Sequence, residues 1–100
     1  MKRIIITGAS GQLGLALNRL LKDRQEYVLF RTDVAGDEEK AIEALDITDE
    51  AAVSAYIGQI RPDIIINCAA MTAVDLCESQ QVKAYQINAI GPKNIAMAAE

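Results

Sequence analysis

The sequence contains no histidine and no tryptophan, one phenylalanine, and only 4% aromatic residues. Without histidine it lacks the commonest general base and the commonest zinc ligand. Its two cysteines, Cys68 and Cys77, have the spacing of neither a metal site nor a disulfide framework, so a reducing, cytoplasmic setting is expected. Cys68 sits in the apolar run "IIINCAA", where a buried thiol acting as a small hydrophobe is the plain expectation. No apolar run approaches the roughly 20 residues that span a bilayer. The longest, Ile64 to Ala70, is broken by Asn67, and the opening "IIIT" is too short for a signal peptide. Ten basic residues are scattered among fourteen acidic ones, for a net charge of −4. That distribution lacks the clustered positive footprint that nucleic-acid binding requires.

What is present is a chain of 100 residues, 51% of them hydrophobic, enough for one small domain with one core. Strand and helix signals alternate along it. Residues 2–7 form a β-branched run typical of a strand buried on both faces. Leu13, Ala16, Leu17, Leu20 and Leu21 then recur at helical spacing from Gln12 to Lys22. "YVLF" at 27–30 reads as a second strand, 32–40 as a polar stretch with a turn, and "EALD" at 43–46 as a short third strand. Thr48 is expected to cap a helix reaching Gln59, with Asp49 and Glu50 in its first turn. After Pro62, "DIIIN" at 63–67 gives a fourth strand, followed by a loop to about Asp75 and helix from about Ser79 onward. Strands separated in this way predict right-handed βαβ units and a parallel sheet, an α/β chain reading as one half of a doubly wound fold.

The chemistry concentrates where the first strand turns into the first helix. Glycines at 8, 11 and 14 have distinct expected tasks there: a tight turn, a close backbone approach to a pyrophosphate, and tight packing of helix on strand. The helix N-terminus would present unpaired amides to the phosphates. The spacing is GxxGxxG, and no Gly-Lys-Ser/Thr follows, which excludes a P-loop. Asp33 lies 25 residues after Gly8, near the distance expected for an acid that meets the adenosine ribose. Arg31 and Thr32 precede it, and an arginine there suits a 2′-phosphate, so NAD and NADP both remain open. Asp46 is placed either to accept from an adenine amino group, with Ile47 packed on the ring, or to cap the following helix. The small residues of "NCAA", 67–70, would leave room for a ligand to cross the carboxyl edge of the sheet.

Taken in order, "ITGASGQLG", "LDITD", "RPDIIINCAAMTAVDLCE" and "INAIGPKNIAMAA" resemble the extended short-chain dehydrogenase/reductase superfamily, and within it the dTDP-4-dehydrorhamnose reductase family. The resemblance covers essentially the whole chain and implies a Rossmann-like fold. It implies NADH or NADPH as cofactor, used to reduce the 4-keto group of dTDP-4-dehydro-L-rhamnose. Pyrophosphate contacts are implied for Gly8, Ser10, Gly11, Gln12 and Leu13. Ribose or 2′-phosphate contacts are implied near Arg31, Thr32 and Asp33, and adenine contacts from Asp46 and Ile47. Cys68, Ala69, Ala70 and Thr72 would line the path to the nicotinamide, with Val74 and Asp75 on the substrate side. Cys68 departs from the family pattern, where alanine or glycine is usual. The implied partners are a nucleotide sugar and a second copy in a homodimer, with no nucleic acid or membrane.

Asn88 resembles the helix asparagine that supports a proton relay in this superfamily. Pro92 has no N–H, so in a continuous helix the Asn88 carbonyl would lose its partner and be left to hold a water. Gly91-Pro92 either kinks one helix or separates two. The superfamily's catalytic Ser/Thr and Tyr-x-x-x-Lys are not found. Tyr27, Tyr56 and Tyr85 are the only tyrosines, and none has lysine four residues later. The chain is therefore expected to be the amino-terminal, cofactor-binding part of a longer reductase, truncated before its catalytic residues and inactive alone. A non-catalytic subunit like the β subunit of methionine adenosyltransferase, or a nucleotide-sugar epimerase or dehydratase, would share this part.

Overall fold

The computed structural model describes residues 1–69 and 90–99. Strand β1 (Lys2–Thr7) is central, flanked by β2 (Tyr27–Asp33) and β4 (Ile64–Asn67), with β3 (Ile42–Ala44) outside β2. All pairings are parallel, in the order β3-β2-β1-β4. The central position explains the unbroken Ile4-Ile5-Ile6. Each isoleucine lies between neighbours on both sides, Ile5 between Phe30 and Ile65, and each is 2% exposed or less.

Helices α1 (Gln12–Leu21), α2 (Glu50–Ile60) and α3 (Gly91–Ala99) complete the layers. On one face Ile4 and Ile6 pack with Leu17 and Leu21 of α1. On the other, Ile5 packs with Val53 and Ile57 of α2 and Ile95 of α3. Helices on both faces of an open parallel sheet, with the strand order reversing between β1 and β4, make a Rossmann-like doubly wound arrangement. Of the five apolar positions expected along α1, Leu13 and Leu20 are 60% and 69% exposed and face away from the sheet. Tyr56 packs against the α2–α3 cluster with its hydroxyl buried and unpartnered among the described residues. Burial, then the charge of Glu43, pushes its pKa up to about 12.

The sheet differs from the expected pattern around β2. That strand continues to Asp33 rather than stopping at Phe30, because its polar end is satisfied within the sheet. Thr32 is fully buried and donates its hydroxyl to the Ile6 carbonyl at 3.3 Å, and Arg31, Thr32 and Asp33 pair with β3. Strand β3 starts at Ile42 and ends at Ala44, before Asp46. No helix links β2 to β3. Since β3 is three residues long, the chain has only to return about 10 Å along β2. It does so through residues 34–41, turned inward at Ala41 (φ 57°) and closed by mutual backbone bonds between Asp37 and Ile42 at 2.8 and 2.9 Å.

Asp49, not Thr48, caps α2: its side chain accepts from the Ala52 amide at 3.1 Å. Thr48 is engaged one step earlier, donating amide and hydroxyl to Asp46 Oδ1 at 2.9 and 2.7 Å. Asp49→Ala is expected to cost about 1 kcal/mol and Thr48→Ala less, measured by urea denaturation. At the other end of the chain, α3 begins at Gly91 and Pro92 lies in its first turn. The expected start of the last helix near Ser79 and the carbonyl of Asn88 lie outside the described residues.

Candidate functional site

The first helix begins without a side-chain cap. Gly11 is the N-cap (φ −76°, ψ 173°), no side chain among the described residues caps the first turn, and that turn carries no acidic residue. The amides of an α-helix's first turn have no partners within the helix, so this end attracts an anion that no carboxylate of the turn competes with. Gln12 and Leu13 supply the first two of these amides, and Ser10 precedes them. The Leu13 side chain is 60% exposed.

The three glycines answer to three different constraints. Gly8 has φ +64°, and a Cβ there would stand 2.5 Å from the Ala69 nitrogen and 2.6 Å from the Cys68 carbonyl carbon. A Cβ on Gly14 would meet Ala9 Cα at 2.6 Å and the Gly8 oxygen at 2.7 Å, so α1 sits directly on the strand exit. Gly11 is unlike both. The nearest atom to a Cβ there is the Gly8 oxygen at 3.4 Å, an ordinary contact. Among the described residues nothing bars a side chain at 11, so its absence answers to something lying over the turn.

The space over that turn is a cleft of about 200 Å³ lined by Gly8, Gly11, Asp33, Val34, Asp46, Ile47, Cys68 and Ala69. These residues lie at or just beyond the carboxyl ends of all four strands, at the point where the strand order reverses. Ligands of open α/β sheets bind in this position. The glycine turn is joined to the end of β2: the Ala9 amide donates to the Thr32 carbonyl at 2.9 Å and the Ser10 amide to Asp33 Oδ2 at 2.9 Å. Asp33 Oδ1 accepts from the Val34 amide at 2.8 Å. On the opposite wall, Asn67 Oδ1 accepts from the Thr7 hydroxyl at 2.5 Å and the Ala69 amide at 3.1 Å, and the Cys68 amide donates to the Thr7 carbonyl at 3.0 Å. Cys68 is half-buried on the cleft wall rather than a core thiol as expected, because the end of β4 opens onto the cleft. Its partial burial pushes the thiol pKa up.

Of the residues singled out in the sequence, Gly8, Gly11, Asp33, Asp46, Ile47, Cys68 and Ala69 are brought together in the cleft. Arg31 and Thr32 do not line it. The Arg31 guanidinium donates from Nη1 to the Lys40 carbonyl at 2.7 Å, and its Nε is buried with no partner among the described residues. Ile47 lines the cleft but is 2% exposed, held beneath α3, where Gly91 leaves room for its side chain and buried Asn94 donates Nδ2–H to its carbonyl at 3.0 Å. Asp46 both lines the cleft and organises the turn into α2 through Thr48. Val34, 62% exposed on the cleft rim, was not among the sequence candidates. No local signal marks it, because a singly exposed apolar residue is ordinary on a protein surface. Ala70, Thr72, Val74, Asp75 and Asn88 lie outside the described residues.

The sheet order, the glycine turn and the cleft define the class: a doubly wound α/β domain with its ligand cleft at the switch point. The chain belongs to the RmlD substrate binding domain family, whose model matches residues 1–100. It is 47% identical to a dTDP-4-dehydrorhamnose reductase of Clostridium acetobutylicum, whose crystal structure superposes with a TM-score of 0.83 over 97% of this chain and 31% of that one. A dTDP-4-dehydrorhamnose reductase from Bacillus anthracis, solved in complex with NADP, is 44% identical, with a TM-score of 0.80 over 98% of this chain and 32% of that one. The methionine adenosyltransferase 2 subunit beta of Xenopus laevis is 37% identical over 98% of this chain and 29% of its own length. The chain thus spans about a third of the relatives it matches. Among the described residues, no helix is long and apolar enough to cross a membrane.

Proposed function

We propose that the chain is the dinucleotide-binding part of an NAD(P)H-dependent reductase acting on the 4-keto group of dTDP-4-dehydro-L-rhamnose. One observation carries the cofactor reading: Gly11 faces a cleft the protein leaves open, beside a helix terminus with no cap of its own. The Gly8–Leu13 backbone would hold the pyrophosphate, and Asp33 the adenosine ribose. Val34, Asp46 and Ile47 would flank the adenine, while Cys68 and Ala69 would border the path toward the nicotinamide. When bound, the nicotinamide supplies the hydride for ketone reduction. The substrate rests on the likeness to reductases at 44% and 47% identity.

The 37% identity to a methionine adenosyltransferase β subunit supports a second reading, a dinucleotide-binding subunit without turnover of its own. One assay separates the two. The purified protein is titrated with NADH and NADPH by nicotinamide fluorescence, and cofactor oxidation is then followed with dTDP-4-dehydro-L-rhamnose. Binding with sugar-dependent oxidation is expected of the full-length protein. Binding without oxidation favours the subunit, and no binding of either cofactor rejects both readings.

A further inference from the structure

We infer that α3 sets the base-recognising wall of the cleft, with Asn94 and Gly91 as positioning residues for adenine; this rests on the cofactor reading above. Neither residue lines the cleft, and both act through Ile47, which does. Asn94 is 5% exposed, on a helix that otherwise packs through Ile95 and Ala98 into the apolar cluster. A buried side-chain amide costs free energy unless it is bonded, and an apolar side chain would fill this place without that cost. The amide is bonded, and to a partner outside its own helix: Nδ2–H donates to the Ile47 carbonyl at 3.0 Å.

What that bond holds is a compact turn. The Thr48 amide and hydroxyl donate to Asp46 Oδ1 at 2.9 and 2.7 Å, and the Asp49 amide donates to the Asp46 carbonyl at 3.1 Å, so residues 46–49 move as one piece. Ahead of it, the Leu45 amide donates to the Asp33 carbonyl at 2.7 Å and anchors the piece to the sheet. Asn94 fixes it from the other side. Gly91 completes the seat, because a Cβ there would stand 2.6 Å from Ile47 Cγ1. Ile5, Leu45, Val53, Ile57 and Ile95 share the core cluster with Ile47 and leave it no room to retreat. The open side is the cleft. A methyl at 91 therefore pushes Ile47, and the Asp46 carboxylate with it, toward the base. Loss of the Asn94 bond lets the same turn drift.

Base discrimination reads this out. Hypoxanthine has the shape of adenine but carries an acceptor oxygen where adenine carries a donor amino group, and an ionised carboxylate such as Asp46 only accepts. The unmodified full-length protein, titrated by nicotinamide fluorescence, is expected to bind NADH about ten-fold tighter than reduced nicotinamide hypoxanthine dinucleotide. In Asn94→Leu and in Gly91→Ala that preference should shrink by about five-fold, chiefly through weaker NADH binding, with the circular dichroism spectrum unchanged. A merely structural role weakens both dinucleotides by one factor and keeps the preference, which overturns the inference. Equal affinities in the unmodified protein also overturn it while leaving the cofactor reading intact. Should Asn94→Leu not fold, Gly91→Ala decides alone, since it retains the bonded amide and adds only a methyl. Failure of the unmodified protein to bind either dinucleotide removes the inference together with the reading beneath it.

Discussion

Gly8→Ala is expected to destabilise the fold by about 3–5 kcal/mol, read as a shift in the urea midpoint. Two costs combine. The left-handed backbone at φ +64° is unfavourable for any residue with a Cβ, by about 1–2 kcal/mol. The added Cβ would also stand 2.5 Å from the Ala69 nitrogen, where nothing yields easily. That stretch is backbone pinned by the Cys68–Thr7 bond at 3.0 Å and the Ala69–Asn67 bond at 3.1 Å. Relief requires moving β4's exit away from β1 and breaking at least one of them. A loss below about 1 kcal/mol would mean that the turn relaxes without disturbing β4, against the packing described above.

Gly11→Val, three residues on, is expected to fail a different assay. Its φ of −76° and ψ of 173° suit valine, and among the described residues no atom comes closer to the new Cβ than 3.4 Å. A valine N-cap is poorer than glycine, so the stability cost should be about 1 kcal/mol. Dinucleotide affinity, by contrast, should fall by about a hundred-fold or more, because the branched side chain occupies the approach of the pyrophosphate to the turn. The pair forms a control for itself: Gly8→Ala loses the fold, Gly11→Val loses the ligand. Undiminished affinity in Gly11→Val would place the phosphates elsewhere.

Much of this was legible in the sequence where one local rule dominates. The triple isoleucine of β1 follows from two-sided burial, and the glycine turn from its place between strand and helix. Asp33, singled out by its distance from Gly8, lies on the cleft wall. Legibility failed where long-range pairing overrides local character. Arg31-Thr32-Asp33 looks like a polar loop, yet it forms strand, because Thr32 has Ile6 to bond and β3 to pair with. Thr48 and Asp49 are adjacent residues of cap-forming types, and only the prior engagement of Thr48 by Asp46 leaves the cap to Asp49. Val34 reads as an ordinary exposed apolar residue until the cleft beside it is seen. Spacing likewise could not show that the α3 pair Gly91 and Asn94 holds Ile47 from 44 and 47 positions away.

The placement of the cleft also bears on how the chain acquires it. Its walls come from residues 8–11, 33–34, 46–47 and 68–69, so no contiguous segment contains a partial site. Contacts this distant in sequence form late and slowly, since each closes a long loop before it gains anything. A ligand that needs all four strand exits has nothing to hold in an incompletely paired chain. It stabilises only the finished sheet, by RT ln(1 + [L]/Kd), and melting temperature should climb with cofactor concentration. For this domain, ligand affinity doubles as a gauge of completed folding.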